Sequence, residues 1–381
     1  MKSNWVIDIE TICNSFILVA EHHDKPLQRI YVIDSSCNDF DHLIQFIEDC
    51  IKNKEWHISF NGLNFDSQVI QWIYDHRDLL SVLSGEGIAK NIYAYAQSVI
   101  DRSKNNQFLD YAPYKLKIKQ IDLFKMNHWD NKAKMSSLKW IQYSMDWHNI
   151  EEMPHEHYKP ILTNEERSNV IKYCINDVKS TKEIFNYSKE QIDLRKNLTT
   201  EYKLDLYSAS EPRISKELFL HFLNEKLGWD KSYIKQLRTP RSYIVIADTI
   251  LPYIKFKTQE FNDLLNNFKT KVITSTKDGF KFSVNYKGVT SDFGLGGLHG
   301  AISSGVYEAK PGWTIMSSDV VSYYPNLAIK NKFHPEHLPE KEFCELYEWI
   351  FEERKKIPKA NPKNYVYKIV LNSRNKLWYS I

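Results

Sequence analysis

The sequence has few of the features that mark secreted, membrane-spanning or zinc-knuckle proteins. Among its 381 residues are five cysteines, an odd number with no C-x-x-C pair, so neither a disulfide framework nor a zinc knuckle is indicated. The N-terminus lacks a basic region followed by an apolar stretch, and no apolar run approaches the roughly 18 residues that a membrane helix needs. These absences predict a cytoplasmic protein with reduced thiols.

Length and composition predict a folded protein with more than one domain. A chain of 381 residues is too long for one hydrophobic core and indicates two or three domains. Hydrophobic residues at 42% and aromatic residues at 14% describe a globular protein, because a disordered chain contains too little apolar surface to form a core. The sequence shows no internal repeat and no low-complexity tract.

The positive charge is concentrated in two segments. Residues 196–290 contain 16 Lys and Arg against 10 Asp and Glu, and residues 351–381 contain 8 against 2, so each segment has a net charge of +6. Basic residues interleaved with Tyr, Phe and Trp are what a nucleic acid attracts, through its phosphates and its stackable bases. A solvated lysine-rich surface gives the same count, and the charge alone favours neither interpretation.

Residues 5–11 form an apolar, β-branched stretch that contains two carboxylates. In an extended strand residues i and i+2 point to the same face, so Asp8 and Glu10 project together. Two anions this close repel each other and raise their own pKa values unless a cation lies between them, which makes a divalent metal the expected counter-charge. Carboxylate oxygens suit Mg²⁺ or Mn²⁺ better than zinc. The alternative is an edge strand with solvated acids.

Hydrophobic periodicity predicts the elements that surround this strand. Strands are expected at 16–20 and 29–33, and helices at 40–52, 67–76 and 164–187. Ser136 or Ser137 is expected to cap a further helix.

Three more candidate site residues lie in these elements. A short strand breaks at Asn61 and Gly62, so Asp66 lies near a helix start, where a buried carboxylate can reach a metal. Tyr173 and Asp177 are four residues apart in the predicted helix 164–187 and therefore share one face of it.

These segments resemble the three exonuclease motifs of the proofreading domain in family B DNA polymerases. The matching patterns are Asp8-x-Glu10, Asn61-x-x-x-Phe65-Asp66 and Tyr173-x-x-x-Asp177, in that order along the chain. Two metal ions held by such acids can activate a water and stabilise the leaving oxygen of a phosphodiester.

The resemblance implies a ribonuclease-H-like α/β domain and a role for each matching residue. It implies that two Mg²⁺ or Mn²⁺ ions are bound by four carboxylates, those of Asp8, Glu10, Asp66 and Asp177. Tyr173 would orient the attacking water, and Asn61 and Phe65 would contact DNA. Asp122 and Lys139 lie in stretches similar to phage members of the family and are expected to support the site. Otherwise Tyr173 is an ordinary buried aromatic residue and Asp177 a solvated one.

The second half of the chain resembles the polymerase part of the same family. A strand is expected at 283–291, followed by four glycines within residues 294–300 that resemble the connection handling the primer-template strand. Gly296 and Gly297 are its candidate DNA-binding residues. Residues 314–329 resemble motif A, in which Asp319 closes a strand and binds the catalytic metals while Tyr324 packs under the sugar of the incoming nucleotide.

The C-terminal residues resemble the fingers helices that meet the triphosphate. The pattern over 343–356 predicts a helix with Arg354 near its end, and Lys368 and Asn372 match the start of motif B. After residue 373 the motif B pattern fails, and the D-T-D signature of motif C does not occur in the sequence. Polymerisation by this chain alone is therefore not expected.

The sequence thus predicts an α/β protein: a ribonuclease-H-like exonuclease domain with a mixed sheet (1–195), a basic connecting region (196–290) and an incomplete α+β palm and fingers region (291–381). The predicted function is that of an N-terminal portion of a phage-type, DNA-directed DNA polymerase of family B with 3′–5′ exonuclease activity in viral DNA replication, in the host cytoplasm. Its expected partners are DNA and dNTPs and, if the polymerase is split between two genes, a separately encoded C-terminal polymerase half. The alternatives are a stand-alone 3′–5′ nuclease and a non-catalytic DNA-binding or assembly half of a split polymerase.

Overall fold

The computed structural model describes residues 4–130, 135–275, 281–294 and 297–372, and the chain divides into two compact units. The first unit is Met1–Gly228 together with Leu346–Ile381, and the second is Trp229–Glu345. The functional limits expected at residues 195 and 290 stay predictions. Over the described ranges, no helix is both long enough and apolar enough to cross a lipid bilayer.

The first unit is built on a mixed sheet of five strands. They are β1 (Asn4–Ile12), β2 (Ser15–His22), β3 (Gln28–Ile33), β4 (Trp56–Ser59) and β5 (Lys119–Asp122). Their order across the sheet is β3, β2, β1, β4, β5. The first three strands form an antiparallel meander, whereas β4 and β5 run parallel to β1. The mixed sheet confirms the predicted α/β fold class, and the ribonuclease-H-like assignment stays a prediction.

Helices pack on both faces of this sheet. In chain order they are α1 (Phe40–Asn53), α2 (Asp66–Asp75), α3 (Arg77–Leu80), α4 (Gly85–Lys104), α5 (Leu123–Met126), α6 (Leu138–Ser144), α7 (Asn164–Tyr187), α8 (Lys189–Tyr202) and α9 (Glu211–Leu227). One hydrophobic cluster joins the sheet to α1, α2 and α4, and a second joins its other face to α7. The strands expected at 16–20 and 29–33 and the helices expected at 40–52, 67–76 and 164–187 are confirmed.

Strand β1 alternates between the two clusters. Trp5, Ile7 and Ile9 pack against α1 and α4, whereas Val6 and Ile12 face α7. Asp8 and Glu10 have the same parity as Val6 and Ile12, so the twofold repeat of the strand directs both carboxylates towards α7.

The second unit contains short helices and small sheets. Its elements are α10 (Lys231–Gln236), β6 (Ile244–Val245), α11 (Ile246–Thr249), α12 (Gln259–Lys269), β7 (Val272–Ile273), β8 (Lys281–Tyr286), β9 (Val289–Gly294), β10 (Gly297–Ala301) and α13 (Tyr323–Lys330). The chain continues through α14 (Glu340–Lys356), which confirms the helix expected at 343–356, and α15 (Pro362–Asn372).

Two strand predictions in this half of the chain are wrong. The single strand expected at 283–291 is a hairpin of β8 and β9, because Lys287 and Gly288 both have positive φ angles, 52° and 80°, and reverse the chain there. The strand expected to end at Asp319 does not form: residues 302–322 contain neither strand nor helix. No other described segment pairs with this stretch, and a strand without a hydrogen-bonded neighbour is not stable.

Candidate active site

Four acidic side chains of the first unit converge on the face of the sheet covered by α7. Strand β1 supplies Asp8 and Glu10, α2 supplies Asp66 as its first residue, and α7 supplies Asp177. Glu10, Asp66 and Asp177 are each less than 10% exposed, whereas Asp8 is partly exposed. The structure therefore brings together the four carboxylates of the three predicted motifs.

The turn between β4 and α2 places Asp66. The backbone amides of Asn61 and Leu63 both donate to the carboxylate of Asp122, at 3.0 Å each. Asn61 has a φ angle of 66°, a left-handed conformation that asparagine tolerates better than most residues. Asp122 is fully buried at the end of β5, so it acts as an anchor for the turn. This supporting position agrees with the expectation for Asp122.

Mutual repulsion and burial shift the ionisation of this cluster. Burial, with the nearby charges of Glu10, Asp66 and Asp177, raises the pKa of Asp8 well above its usual value. Burial and the charges of Asp177 and Asp66 raise the pKa of Glu10 to about 8. Burial, with a contribution from Asp122, raises the pKa of Asp66 to about 7. The cluster therefore has more negative charge than its surroundings neutralise.

Lys139 of α6 places a positive charge beside Asp177 and Tyr173. Its Nζ donates to both carboxylate oxygens of Asp177, at 2.7 and 3.1 Å, and lies 4.3 Å from the ring centre of Tyr173. Gln142, one turn further along α6, donates to Asp177 at 2.9 Å and to Ser180 at 2.7 Å. These contacts fix one rotamer of Asp177.

The sequence prediction missed two residues of this site. Gln142 is three residues after Lys139, so helical spacing could have placed it on the same face. The Sγ of Cys174 lies 3.5 Å from a carboxylate oxygen of Asp8 and donates to it. Burial, with the charges of Asp8 and Glu10, raises the pKa of Cys174, so this thiol keeps its proton. No local pattern signals that contact, because the two residues are 166 positions apart.

The donor set fits hard divalent cations. Ligand atoms of Asp8, Glu10 and Cys174 lie within 4.8 Å of one another, and Asp66 and Asp177 are close enough to raise the pKa values of both β1 carboxylates. A group of buried carboxylates with raised pKa values is stabilised when a cation replaces the protons. Oxygen ligands match Mg²⁺ and Mn²⁺.

A cleft of about 580 Å³ lies in the first unit, and none of the four acids is among its lining residues. Thr11, which follows Glu10, and Phe65, which precedes Asp66, both line it, together with Asn61. Helix α4 contributes Tyr93 and Lys104, and the loop before α7 contributes His157 and Tyr158. That loop is anchored by contacts between His157 Nδ1 and the Thr11 carbonyl, at 3.2 Å, and from the Ile161 amide to Asn14, at 2.8 Å.

The remaining predicted site residues lie apart from the acidic cluster in the chain. Asp319 and Tyr324 belong to the second unit and are both exposed. Arg354 lies on α14, where its Nε donates to Asn364 at 3.4 Å, and Lys368 and Asn372 are exposed on α15. Gly297 begins β10. Gly296 lies outside the described residues. The roles of these residues stay predictions.

Comparisons with known proteins give a distant likeness among solved structures. No protein-family model and no curated protein matches the chain. Among solved structures, the chain is similar to the family B DNA polymerase from the hyperthermophilic archaeon Pyrobaculum calidifontis, with 14% sequence identity and a TM-score of 0.45. The match covers 99% of this chain and 46% of that one, so the chain spans about half the length of the structure it matches.

Proposed function

We propose that the first unit is a metal-dependent 3′–5′ exonuclease acting on single-stranded DNA, of the kind that proofreads in family B DNA polymerases. The observation that carries this proposal is the convergence of Asp8, Glu10, Asp66 and Asp177 on the face of the sheet that α7 covers. The order of the sheet, an antiparallel meander extended by two parallel strands, supports the ribonuclease-H-like assignment.

In this proposal, the four carboxylates, Lys139 and Gln142 have different roles in the reaction. The four carboxylates would hold the two divalent ions, with Asp8 central because the other three all raise its pKa. When bound, Mg²⁺ or Mn²⁺ would lower the pKa of a water and stabilise the leaving oxygen of the phosphodiester. Lys139 and Gln142 hold Asp177 in place, so that its oxygens are fixed before substrate arrives.

Tyr173 keeps its proton and can orient a water by hydrogen bonding. Burial, followed by the charges of Asp177 and Glu10, raises the pKa of Tyr173 above its usual range. A neutral phenol beside several carboxylates acts as a hydrogen-bond donor and acceptor, not as a base. This supports the role that the family resemblance implies for the residue.

The cleft offers a path for a single strand. Phe65, Tyr93 and Tyr158 can stack on bases, which is the common way of holding single strands without reading their sequence. Lys104 adds a positive charge for the phosphates. The polymerase-type roles of Asp319, Tyr324, Arg354, Lys368 and Asn372 belong to the same proposal and rest on the sequence patterns alone.

Removal of the β1 carboxylates tests the nuclease. Asp8→Asn with Glu10→Gln keeps the shape of both side chains and removes two metal-binding charges, so we expect the Mg²⁺-dependent shortening of a 5′-labelled single strand to fall by at least about a thousandfold. The matched control is Asp41→Asn with Glu190→Gln, two exposed acids on α1 and α8. Undiminished shortening by the first variant would refute the assignment, as would equal loss in the control.

A further inference from the structure

Helix α6 presents two large aromatic residues to solvent. Trp140 is 59% exposed and Tyr143 is 65% exposed. They are three positions apart, so they lie on one face of the helix. Their ring centres are 5.6 Å apart and the angle between the ring planes is 27°, which is a stacked arrangement. Single exposed aromatic residues are ordinary, whereas two in contact form a continuous apolar surface, the aromatic pair of α6.

The adjoining face of the same helix supports the acidic cluster. Lys139 and Gln142 both donate to the carboxylate of Asp177, at 2.7 and 2.9 Å. Each of them immediately precedes one member of the aromatic pair in the sequence. Successive residues of an α-helix are about 100° apart around its axis, so the aromatic face lies next to the face that contacts Asp177. A helix with its side chains is about 10–12 Å wide, which places the pair on the order of 10 Å from that carboxylate.

A second set of contacts attaches the segment after α6 to the same part of α7. The indole nitrogen of Trp147 donates to the side-chain carbonyl of Asn176 at 3.0 Å. The side-chain amide of Asn176 donates in turn to the carbonyl oxygen of Asn149 at 2.9 Å. Because Asn176 immediately precedes Asp177, residues 139–149 are attached to α7 at two adjacent positions. The aromatic pair therefore has a fixed position relative to the acids, which reduces the entropy lost when a ligand binds.

The charge of the acidic cluster limits what can bind beside it. Burial and mutual repulsion already raise the pKa values of Asp8 and Glu10, so the field of the cluster repels an acidic peptide. A nucleic acid base is planar and uncharged, and stacking on Trp or Tyr is the common way in which proteins hold single strands. Stacked nucleotides follow one another at about 3.4 Å, so a distance of about 10 Å corresponds to about three nucleotides.

We propose that Trp140 and Tyr143 form a stacking surface for the bases of a single strand whose 3′ end lies at the acidic cluster. This inference rests on the proposed nuclease function and adds two positioning residues to it. Every base has a π-face, so the surface would not select a sequence. It would select unpaired strands, because the bases of a duplex are stacked on one another and do not present their faces.

Strand binding by a chain without the β1 carboxylates tests the surface independently of cleavage. In the Asp8→Asn, Glu10→Gln chain, Trp140→Ala with Tyr143→Ala should weaken the binding of an oligodeoxythymidine strand at least about fivefold. A strand of equal length that is abasic at the second to fourth positions from its 3′ end keeps its phosphates and lacks the stacking bases. The same two substitutions should change its binding by less than about twofold.

The control is Tyr187→Ala, which removes a residue that is 72% exposed at the end of α7. It should leave the binding of both strands unchanged. In the chain with intact acids, loss of stacking should raise KM for strand shortening at least about fivefold and leave kcat within about twofold. A displaced Asp177 would instead lower kcat, so this comparison separates base stacking from support of the acid.

Two results would overturn the stacking surface. One is equal weakening of binding to the normal and the abasic strand, because the pair would then act without contacting bases. The other is unchanged binding of the normal strand, which would leave the aromatic face for another protein chain. Base-dependent binding through this pair by an unmodified chain that does not shorten DNA would refute the nuclease and retain the stacking surface.

Discussion

At the scale of single residues, the acidic cluster opposes folding in the absence of metal. A carboxyl group whose pKa is raised by folding binds more protons in the folded chain than in the unfolded chain. The free energy of unfolding therefore falls as pH rises from the ordinary value of Glu10, 4.5, to its folded value of about 8. Asp8 and Asp66, whose pKa values are also raised, act in the same direction.

Because the raised pKa values lower the free energy of unfolding as pH rises, removal of these carboxylates should stabilise the chain most at high pH. In Mg²⁺-free buffer, Asp8→Asn with Glu10→Gln should raise the free energy of unfolding at pH 8 by on the order of 2 kcal/mol and change it little at pH 5. Urea unfolding at both pH values measures the difference. Added Mg²⁺ should stabilise the unmodified chain more at pH 8 than at pH 5, because binding displaces protons. An equal effect of the two substitutions at both pH values would contradict the raised pKa values.

The residues of this cluster differ in how far sequence could predict them. The same-face arrangement of Asp8 and Glu10 follows from the strand period, and that of Tyr173 and Asp177 from the helix period. Gln142 and Asp177 lie on different helices and 35 positions apart. Helical spacing therefore predicts that Gln142 shares a face of α6 with Lys139, but not that it contacts Asp177.

At the scale of elements, the β4–α2 turn is so tightly packed at Gly62 that it has no room for a side chain. A Cβ added to Gly62 would lie 2.0 Å from Oγ and 2.6 Å from Cβ of the buried Ser59. Both distances are far below van der Waals contact, so the turn would have to move. Such a movement would shift the amides that bind Asp122 and the start of the helix that holds Asp66.

Gly62→Ala should therefore reduce both stability and nuclease activity. Overpacking of this kind lowers the free energy of unfolding by about 1–3 kcal/mol, and a displacement of about 1 Å at a catalytic group lowers activity by about a hundredfold. Ser59→Gly removes both clashing atoms, so the double variant should recover most of the activity of Ser59→Gly alone. Urea unfolding and single-strand shortening provide the two readouts. If the double variant is as inactive as Gly62→Ala, the clash is not the cause.

The sequence predicted helices and strands correctly where the hydrophobic periodicity was strong. The predictions were wrong where the formation of a strand depended on its pairing with another strand. Helix α7 forms over the predicted residues and begins with a capping box between Thr163 and Glu166. The segment before Asp319 has a β-prone composition, but a strand needs a neighbour, and neighbours are chosen by tertiary structure. The β8–β9 hairpin turns at Lys287-Gly288, a signal that local sequence contains and the prediction overlooked.

At the scale of the whole molecule, the first unit contains two separate stretches of the chain. Helix α15 packs on α9, and the hydroxyl of Ser215 donates to the carbonyl of Val370 at 3.4 Å, across 155 positions. Trp349 of α14 also packs against α9, with its ring centre 5.8 Å from that of Phe222. The order of the motifs predicted that the four acids would come together. The packing of α9 with the C-terminal helices could not be predicted in this way, because contacts between segments so far apart in the chain produce no hydrophobic periodicity.

This packing predicts how shortened chains will behave. A chain of residues 1–228 keeps α9 but loses α15, so it exposes apolar side chains of α9 that are buried in the full chain, among them Leu218 and Phe222. Each such side chain contributes about 1.5–3 kcal/mol when buried. A chain of residues 1–210 ends before α9, so it lacks this apolar face and uncovers instead the part of α8 where Tyr202 packs against Phe222.

Residues 1–210 retain the contacts that complete the sheet and support the acidic cluster. Ser208 accepts from the amide of Asp122 at 2.9 Å and donates to the carbonyl of Gln120, and Arg195 donates to the carbonyl of Ala209. We expect this shorter chain to remain monomeric and to shorten single-stranded DNA, whereas 1–228 binds a hydrophobic dye more strongly and aggregates at a lower temperature. Dye fluorescence, light scattering on heating and the nuclease assay measure these properties, with the full chain as reference. Equal dye binding by the two shortened chains would show that the interface of α9 with α15 contributes little to the first unit.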